Sequence, residues 1–514
     1  MRVLLVAILL AIPPLAAGCL GTAPTGVVAP PGTNAGVVNI TSVTSLAFTV
    51  GDNASAKALD AVKPVITSIN HQAGEPTMGV TKDGTLFYAA ATFDNDIAGQ
   101  SICGSTPVGS PACLPRTDIL RSTDGGLTWK DVTPYFPGGV VRQHPDTGDP
   151  YVYVDQATGR VFDIDQRAAV GCHSVTTSDD KGANWNPDSK ACFTPPADHQ
   201  TIVAGKPRML PASPLYPNIV YYCDNQLATT SCHRSLNGGI DWTPTPPPFK
   251  VTNDTGDTPN PQSDQCGGLN GHLKAAPDGT IYLPRDFCYR PFVAVTKDDG
   301  QSWSAVQVSQ KLTNAGADPA VAVDKAGNAY YAFVGNDGHL YLTVSKDQGA
   351  KWSTEIDITP PGLTAVNLPA MNAGDGGMLA IAFVASDVKH GYDASKDEMK
   401  GAHWDGYVEI FRDATSDAPN VTATRLNPAS DPLVRGPCGP GRCSSLFDFF
   451  DVVVDADGRA WIPLVDACTK ECASATDPTT KNNDRAGFVA TLASGPGLHA
   501  AMPELPPVHG AGAK

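Results

Sequence analysis

The sequence predicts an all-β chain folded as a seven-bladed β-propeller, with six blades as the alternative. Three observations lead there. An octapeptide of the form S-x-D-x-G-x-x-W occurs five times: Ser122–Trp129, Ser178–Trp185, Ser235–Trp242, Thr296–Trp303 and Ser345–Trp352. Its tryptophans (129, 185, 242, 303 and 352) lie 49 to 61 residues apart. Such a period marks a ring or solenoid of supersecondary units, and about fifty residues suffice for one four-stranded blade. Finally, 50 Gly and 45 Pro among 514 residues, with no long amphipathic segment of helical period, suit short strands joined by many turns.

Each octapeptide position has a physical task. The Asp or Asn at position three (Asp124, Asp180, Asn237, Asp298, Asp347) is expected to accept backbone N–H bonds two or three residues on. The Gly at position five (Gly126, Gly182, Gly239, Gly300, Gly349) supplies a positive φ. The closing Trp starts the next strand and buries a large ring between neighbouring units. These residues resemble Asp-box repeats, also called bacterial neuraminidase repeats, of sialidase-like β-propellers. The resemblance covers about residues 70–355 well and the last two blades by pattern only. It implies a propeller whose boxes lie on the face away from the ligand site.

Taken in order, residues 1–19 read as a lipoprotein-type signal peptide. Arg2 is a short positive region, Val3–Ile12 an apolar stretch too short to span a bilayer, and Ala16-Ala17-Gly18-Cys19 a lipobox with Cys19 as the lipidated residue. Leu15 sits one position early for that motif, so cleavage after Ala17 or Gly18 is the alternative. Residues 20–38 read as a flexible linker, 39–496 as the propeller and 497–514 as a disordered tail. Apart from Cys19, twelve cysteines fall into close pairs: Cys103 with Cys113, Cys172 with Cys192, Cys223 with Cys232, Cys266 with Cys288, Cys438 with Cys443, and Cys468 with Cys472. Pairing within blades is the simplest connectivity and fits an exported chain; no spacing suits structural zinc.

Blades one to seven are expected to start near Glu75, Asp149, Asp198-His199-Gln200, Gly271-His272, Asp318, Asn367 and Asp448. Blade seven shows three clear strands, and Ser45–Val50 is expected to add the fourth and close the ring.

In propellers of the resembled type the ligand face forms where the innermost strands begin. The candidate catalytic residues are therefore His199, Asp198, His272 and Asp149, and the candidate substrate-binding residues Glu75, Gln200, Asp318, Asn367, Asp448 and Arg208. Carboxylates and imidazoles around a channel can bind a polyol or sugar, or run acid–base chemistry. They are equally what a solvated channel mouth would carry. No cofactor is expected; the Asp-rich composition leaves Ca²⁺ possible.

The resemblance further implies three arginines clamping a substrate carboxylate, a Tyr nucleophile paired with a Glu, and an Asp acid/base. The sequence does not place that set. Arg142, Arg208, Arg285, Arg290, Arg435 and Arg442 are scattered, Pro207–Pro211 only echoes an Arg-Ile-Pro motif, and residues 446–495 hold no Tyr. The net charge of −16 disfavours nucleic acid or an anionic membrane surface as partner. The expectation is an exported, surface-anchored, monomeric propeller that binds or processes a glycan. If an enzyme, it is a glycoside hydrolase of exo-α-sialidase-like type or a polysaccharide lyase; the alternative is a non-catalytic adhesion module or envelope scaffold.

Overall fold

The computed structural model describes residues 64–506 and 508. Exceptions are 93–114, 135–148, 167–172, 188, 192–196, 227–228, 250–267, 315–317, 440–441, 444–445, 447, 470 and 476–484; three two-residue strands near the N-terminus are also described. Seven antiparallel sheets follow one another in chain order. Blade one is Thr77–Val80, Leu86–Thr92, Arg116–Ser122 and Trp129–Asp131. Blades two to five follow the same order, with inner strands beginning at Pro150, Asp198, Lys274 and Ala320. Blade six runs Ala365–Ala373, Leu379–Ser386, His403–Phe411 and Val421–Arg425.

Blade seven closes the ring, with strands other than those expected. Val453–Val454, Ala460–Asp466 and Ala486–Leu492 are joined by Pro64–Gln72, which pairs along Ala486–Leu492. Ser45–Leu46 instead lies on the edge of blade six against Ala423–Thr424, and Asn39–Ile40 flanks Pro64–Gln72. The physical reason is length: the edge of Ala486–Leu492 is matched by a nine-residue strand directly preceding blade one. The C-terminal segment expected as a tail folds back as a hairpin, Pro496–His499 with Met502–Glu504. It buries Leu498, Leu505 and Val508, and Arg459 donates to the Leu492 and Pro506 carbonyls.

The apolar core lies between blades. One cluster joins Phe162 and Ile164 of blade two to Ile202, Val220 and Tyr222 of blade three; another joins Tyr282 and Val293 of blade four to Val321 and Tyr331 of blade five. Each sheet is covered on both faces, so strands such as Leu86–Thr92 and Leu379–Ser386 are buried throughout rather than alternately.

The five octapeptides form one turn. In each, the first hydroxyl accepts from the Gly N–H at position five, as from Gly126 at 2.9 Å and Gly182 at 2.8 Å. The position-three side chain accepts from the N–H four residues on, as Asp124 does from Thr128 at 2.9 Å and Asn237 from Asp241 at 2.9 Å. That reach is longer than the two or three residues expected, because positions four and five both turn through positive φ. Three of the tryptophans tie blade to blade: Trp185 donates to Val132, Trp242 to Ser189 and Trp303 to Thr245, each in the preceding blade, while Trp129 and Trp352 donate to Gly126 and Gly349 of their own turns. These turns join the third and fourth strands, at the end of each blade opposite the inner-strand start.

Three expected disulfides are formed: Cys223–Cys232, Cys438–Cys443 and Cys468–Cys472. Cys288 is disulfide-bonded, and Cys19, Cys103, Cys113, Cys172, Cys192 and Cys266 lie outside the described residues.

Trp242 is 8% exposed and packs on Tyr222 between blades two and three. Replacing it, Trp242→Ala, is expected to cost about 3–5 kcal/mol in denaturant unfolding. A loss below about 1 kcal/mol would mean that the box tryptophans do not hold adjacent blades together.

Candidate functional site

The inner strands begin on one face of the ring, and their first residues converge on the axis. In blade three a bulge between Asp198 and Thr201 interrupts the ladder, and His199 adopts a φ of 48°. Blade six has the same irregularity between Asn367 and Ala370, with Leu368 at 51°, and Glu75 of blade one stands at 49°. Positive φ in non-Gly residues is strained, and here it recurs where side chains are aimed inward. Gly271, before His272, is required by close approach: a Cβ there would stand 1.8 Å from the Pro319 carbonyl oxygen of blade five.

His199 is the centre. It is 3% exposed. Its Nδ1 lies 2.9 Å from Asp318 Oδ2, reaching from blade three to blade five. Its Nε2 lies 2.8 Å from a guanidinium nitrogen of Arg442 and 3.5 Å from Asp448 Oδ2; Arg442 and Asp448 meet at 2.7 Å. Burial disfavours the imidazolium, but Asp318, Asp448 and Asp198 outweigh it and hold the His199 pKa well above its ordinary value. A neutral ring accepts from Arg442 at Nε2; a protonated ring donates there to Asp448. The Nε2 proton thus selects between two partners.

A chain of carboxyl groups abuts this imidazole. Glu75 is hydrogen-bonded to Asp149, and Asp149 to Asp198. Burial, then the Asp149 charge, raises the Glu75 pKa well above the usual carboxylate range. Burial likewise lifts Asp149 to about 7, against the hydrogen bond from Glu75 and together with the Asp198 charge. Burial would raise Asp198 too, but His199, the hydrogen bond from Asp149 and Arg442 bring it below its usual value. Glu75 therefore holds a proton toward Asp149, and Asp149 toward an ionised Asp198.

Beneath the chain, Gln200 Nε2 donates to the Asp149 carbonyl at 2.5 Å. His173 contacts the Tyr222 hydroxyl, which donates to Asp224 at 2.9 Å. Burial drives the His173 pKa down to about 3 and lifts Asp224 to about 7.

His272 belongs to an adjoining cluster. Its Nδ1 is 3.5 Å from Asp451 Oδ2, Lys274 Nζ is 3.2 Å from Asp451 Oδ1, and the Tyr151 hydroxyl donates to Asp451 at 3.2 Å. Burial would raise Asp451, but Lys274 and His272 hold it well below the usual range. Phe449 separates the two imidazoles, with its ring centroid 5.9 Å from that of His199 and 5.1 Å from that of His272. Asn367 donates to the Gly439 carbonyl at 3.2 Å, and so touches the loop that carries Arg442.

The structure therefore brings Glu75, Asp149, Asp198, His199, Asp318 and Asp448 into one network, with Gln200, Asn367 and His272 at its border. Arg208 is not there. It sits at the far end of blade three, where its guanidinium meets Asp278 and Thr280 and its backbone N–H meets Asp299 of the fourth box. Sequence reasoning missed Arg442, Asp451, Lys274, Tyr151 and Phe449. Lys274 could have been found, since it shares a strand face with His272 two residues earlier. Among the described residues no group of three or more His, Cys, Asp or Glu side chains is arranged to hold a metal ion, and no helix is long and apolar enough to cross a membrane.

No protein-family model matches the chain, and no curated protein matches it. Among solved structures the fold is similar to Hadza microbial sialidase Hz136, at 14% identity and a TM-score of 0.39 over 62% of this chain. The chain spans 64% of the length of that sialidase. It is also similar to Penicillium chrysogenum alpha-L-arabinanase complexed with arabinobiose, at 13% identity and TM-score 0.37, covering 76% of this chain and 99% of that one. A PL25 ulvan lyase is similar at 11% identity and TM-score 0.40, over 66% and 92% of the respective chains.

The raised carboxyl of Asp224 fixes the sign of a pH effect. Its folded-state pKa of about 7 exceeds the ordinary value of 3.8, so the folded chain binds the extra proton between those pH values. Stability from this group is full below about pH 4 and is lost as pH rises toward 7. In Asp224→Asn the loss is absent: relative to wild type, the variant gains on the order of 1–3 kcal/mol between pH 5 and pH 8 in urea titrations. A wild-type-to-variant difference that is flat across that range would contradict the buried, proton-holding state.

Proposed function

We propose that the protein is an exported, surface-anchored propeller that engages carbohydrate at the His199 network and processes it by acid–base chemistry. The observation that carries this reading is the hydrogen-bonded chain Glu75–Asp149–Asp198 beside His199, in which burial brings one carboxyl to about 7. A general acid or base works best with a pKa near the operating pH. Asp149 is suited to give or take the proton. The ionised Asp198, with its charge partly met by His199 and Arg442, is suited to hold the opposite role. A hydrogen-bonded carboxyl pair with separated proton affinities is one acid–base unit, and both protonation of a glycosidic oxygen and β-elimination from a polysaccharide draw on such a unit. His199, pinned by Asp318 and nearly inaccessible, is a positioning residue for Asp198.

The carbohydrate part of the reading rests on the Asp-box resemblance and on the polar lining of the axis. Export and anchoring rest on the first nineteen residues and the cysteine pairs. A second reading, a binding module without turnover, is favoured by one observation: both nitrogens of His199 are engaged and its side chain is only 1% exposed.

The two readings separate in one experiment. Asp149→Asn and Asp198→Asn are compared with wild type on a panel of fluorogenic glycosides and on polysaccharides followed for unsaturated ends. Turnover that falls about 10²- to 10⁴-fold in both variants, with unchanged thermal unfolding, supports the enzyme. A wild-type pH–rate limb near 7 that disappears in Asp149→Asn would assign that titration. Glycan binding by wild type with no turnover of any substrate would establish the binding module instead.

A further inference from the structure

Four buried side-chain oxygens at the axis have no hydrogen-bond partner: Glu75 Oε2, Gln200 Oε1, Asp318 Oδ1 and Asn367 Oδ1. They come from the inner-strand starts of blades one, three, five and six, and their residues are between 0% and 6% exposed. The amide orientations are fixed. Gln200 Nε2 donates to the Asp149 carbonyl and Asn367 Nδ2 to the Gly439 carbonyl, so in each case the oxygen is the atom left over. All four atoms are acceptors. An unpaired buried acceptor costs about 1–3 kcal/mol, so a cluster of them around one axis calls for donors that a ligand or ordered water brings.

Among the described residues the cations nearby are already committed. Arg442 is held by Asp448 at 2.7 Å, and Lys274 by Asp451 at 3.2 Å. Asp448 is the more exposed partner of its contact with His199, with 26% of its side chain open, while Asp198 is partly open beside it. An incoming group therefore meets vacant acceptors and carboxylates, with the positive charges of Arg442 and Lys274 each matched by a negative one.

We propose that this site takes a glycan recognised through its hydroxyl hydrogens and carrying no carboxylate or sulfate. The inference rests on the carbohydrate reading above and adds the class of sugar. Hydroxyl donors satisfy the four acceptors directly. A carboxylate or sulfate offers them nothing, and it faces Asp198, Asp318 and Asp448 with no uncommitted cation among the described residues to offset the repulsion. Specificity of this kind comes as much from what is penalised as from what is bound.

The test is an oligosaccharide array presenting matched neutral, carboxylated and sulfated forms, probed with the full chain and with Asp448→Asn. The variant is nearly isosteric at a partly exposed position and releases Arg442 from its ion pair. Wild type is expected to bind neutral forms at least tenfold tighter than their anionic counterparts. In Asp448→Asn that preference narrows by about tenfold, through a gain on the carboxylated forms. Wild-type preference for anionic forms would overturn this inference while leaving the carbohydrate reading standing. A neutral preference unchanged in Asp448→Asn would overturn the role given to the committed cation. Failure of every glycan to bind, with acceptors filled by water alone, would overturn the carbohydrate reading and this inference with it.

Discussion

The contact between His199 and Asp318 is the interaction around which the axis is arranged. It joins the inner strands of blades three and five across the ring, and the loop before blade seven completes it through Arg442 and Asp448. A buried ion pair gains little net stability, because desolvation offsets most of the Coulomb attraction, but it fixes geometry. The strain around it fits that role. A positive φ at His199 and a bulge in its strand are held because the surrounding sheets determine them. The neighbouring Asp198 is thereby set against both His199 and Asp149, which is what separates the proton affinities along the carboxyl chain.

The two faces of the ring divide the work. On one, five octapeptide turns close on themselves with self-contained hydrogen bonds, and Trp185, Trp242 and Trp303 tie their sheets to the sheet before. On the other, the inner strands deliver charged and amide side chains whose bonding capacity is incompletely used. The apolar clusters between blades hold the two ends in fixed register. Arg208 marks the boundary: it lies in blade three with His199, yet its partners are on the box face.

Much of this was legible in the chain. The octapeptide carries its turn within eight residues, so its recurrence marks blades one to five and their register directly. The inner-strand starts were readable as polar residues ahead of apolar runs, which is why Glu75, Asp149, Asp198, Asp318 and Asp448 could be named. The three described disulfides join cysteines four to nine residues apart, where proximity follows from the chain itself. The illegible parts depend on distance in sequence. Pro64–Gln72 closes the ring against residues more than four hundred positions away, and no local pattern distinguishes it from Ser45–Val50. Arg442 reaches His199 across 243 residues from a loop whose composition suggests only a clip. Asp451 gathers Tyr151, His272 and Lys274 from two other blades, and only their convergence at the axis relates them.

In the proposed function the inner-strand starts, not the octapeptide face, hold the ligand. A crystal structure of the protein soaked with a neutral oligosaccharide tests it most directly. The expected result is sugar hydroxyls within hydrogen-bonding distance of the free oxygens of Glu75, Gln200, Asp318 or Asn367. Sugar seated among the octapeptide turns, with those oxygens bonded only to water, would contradict it.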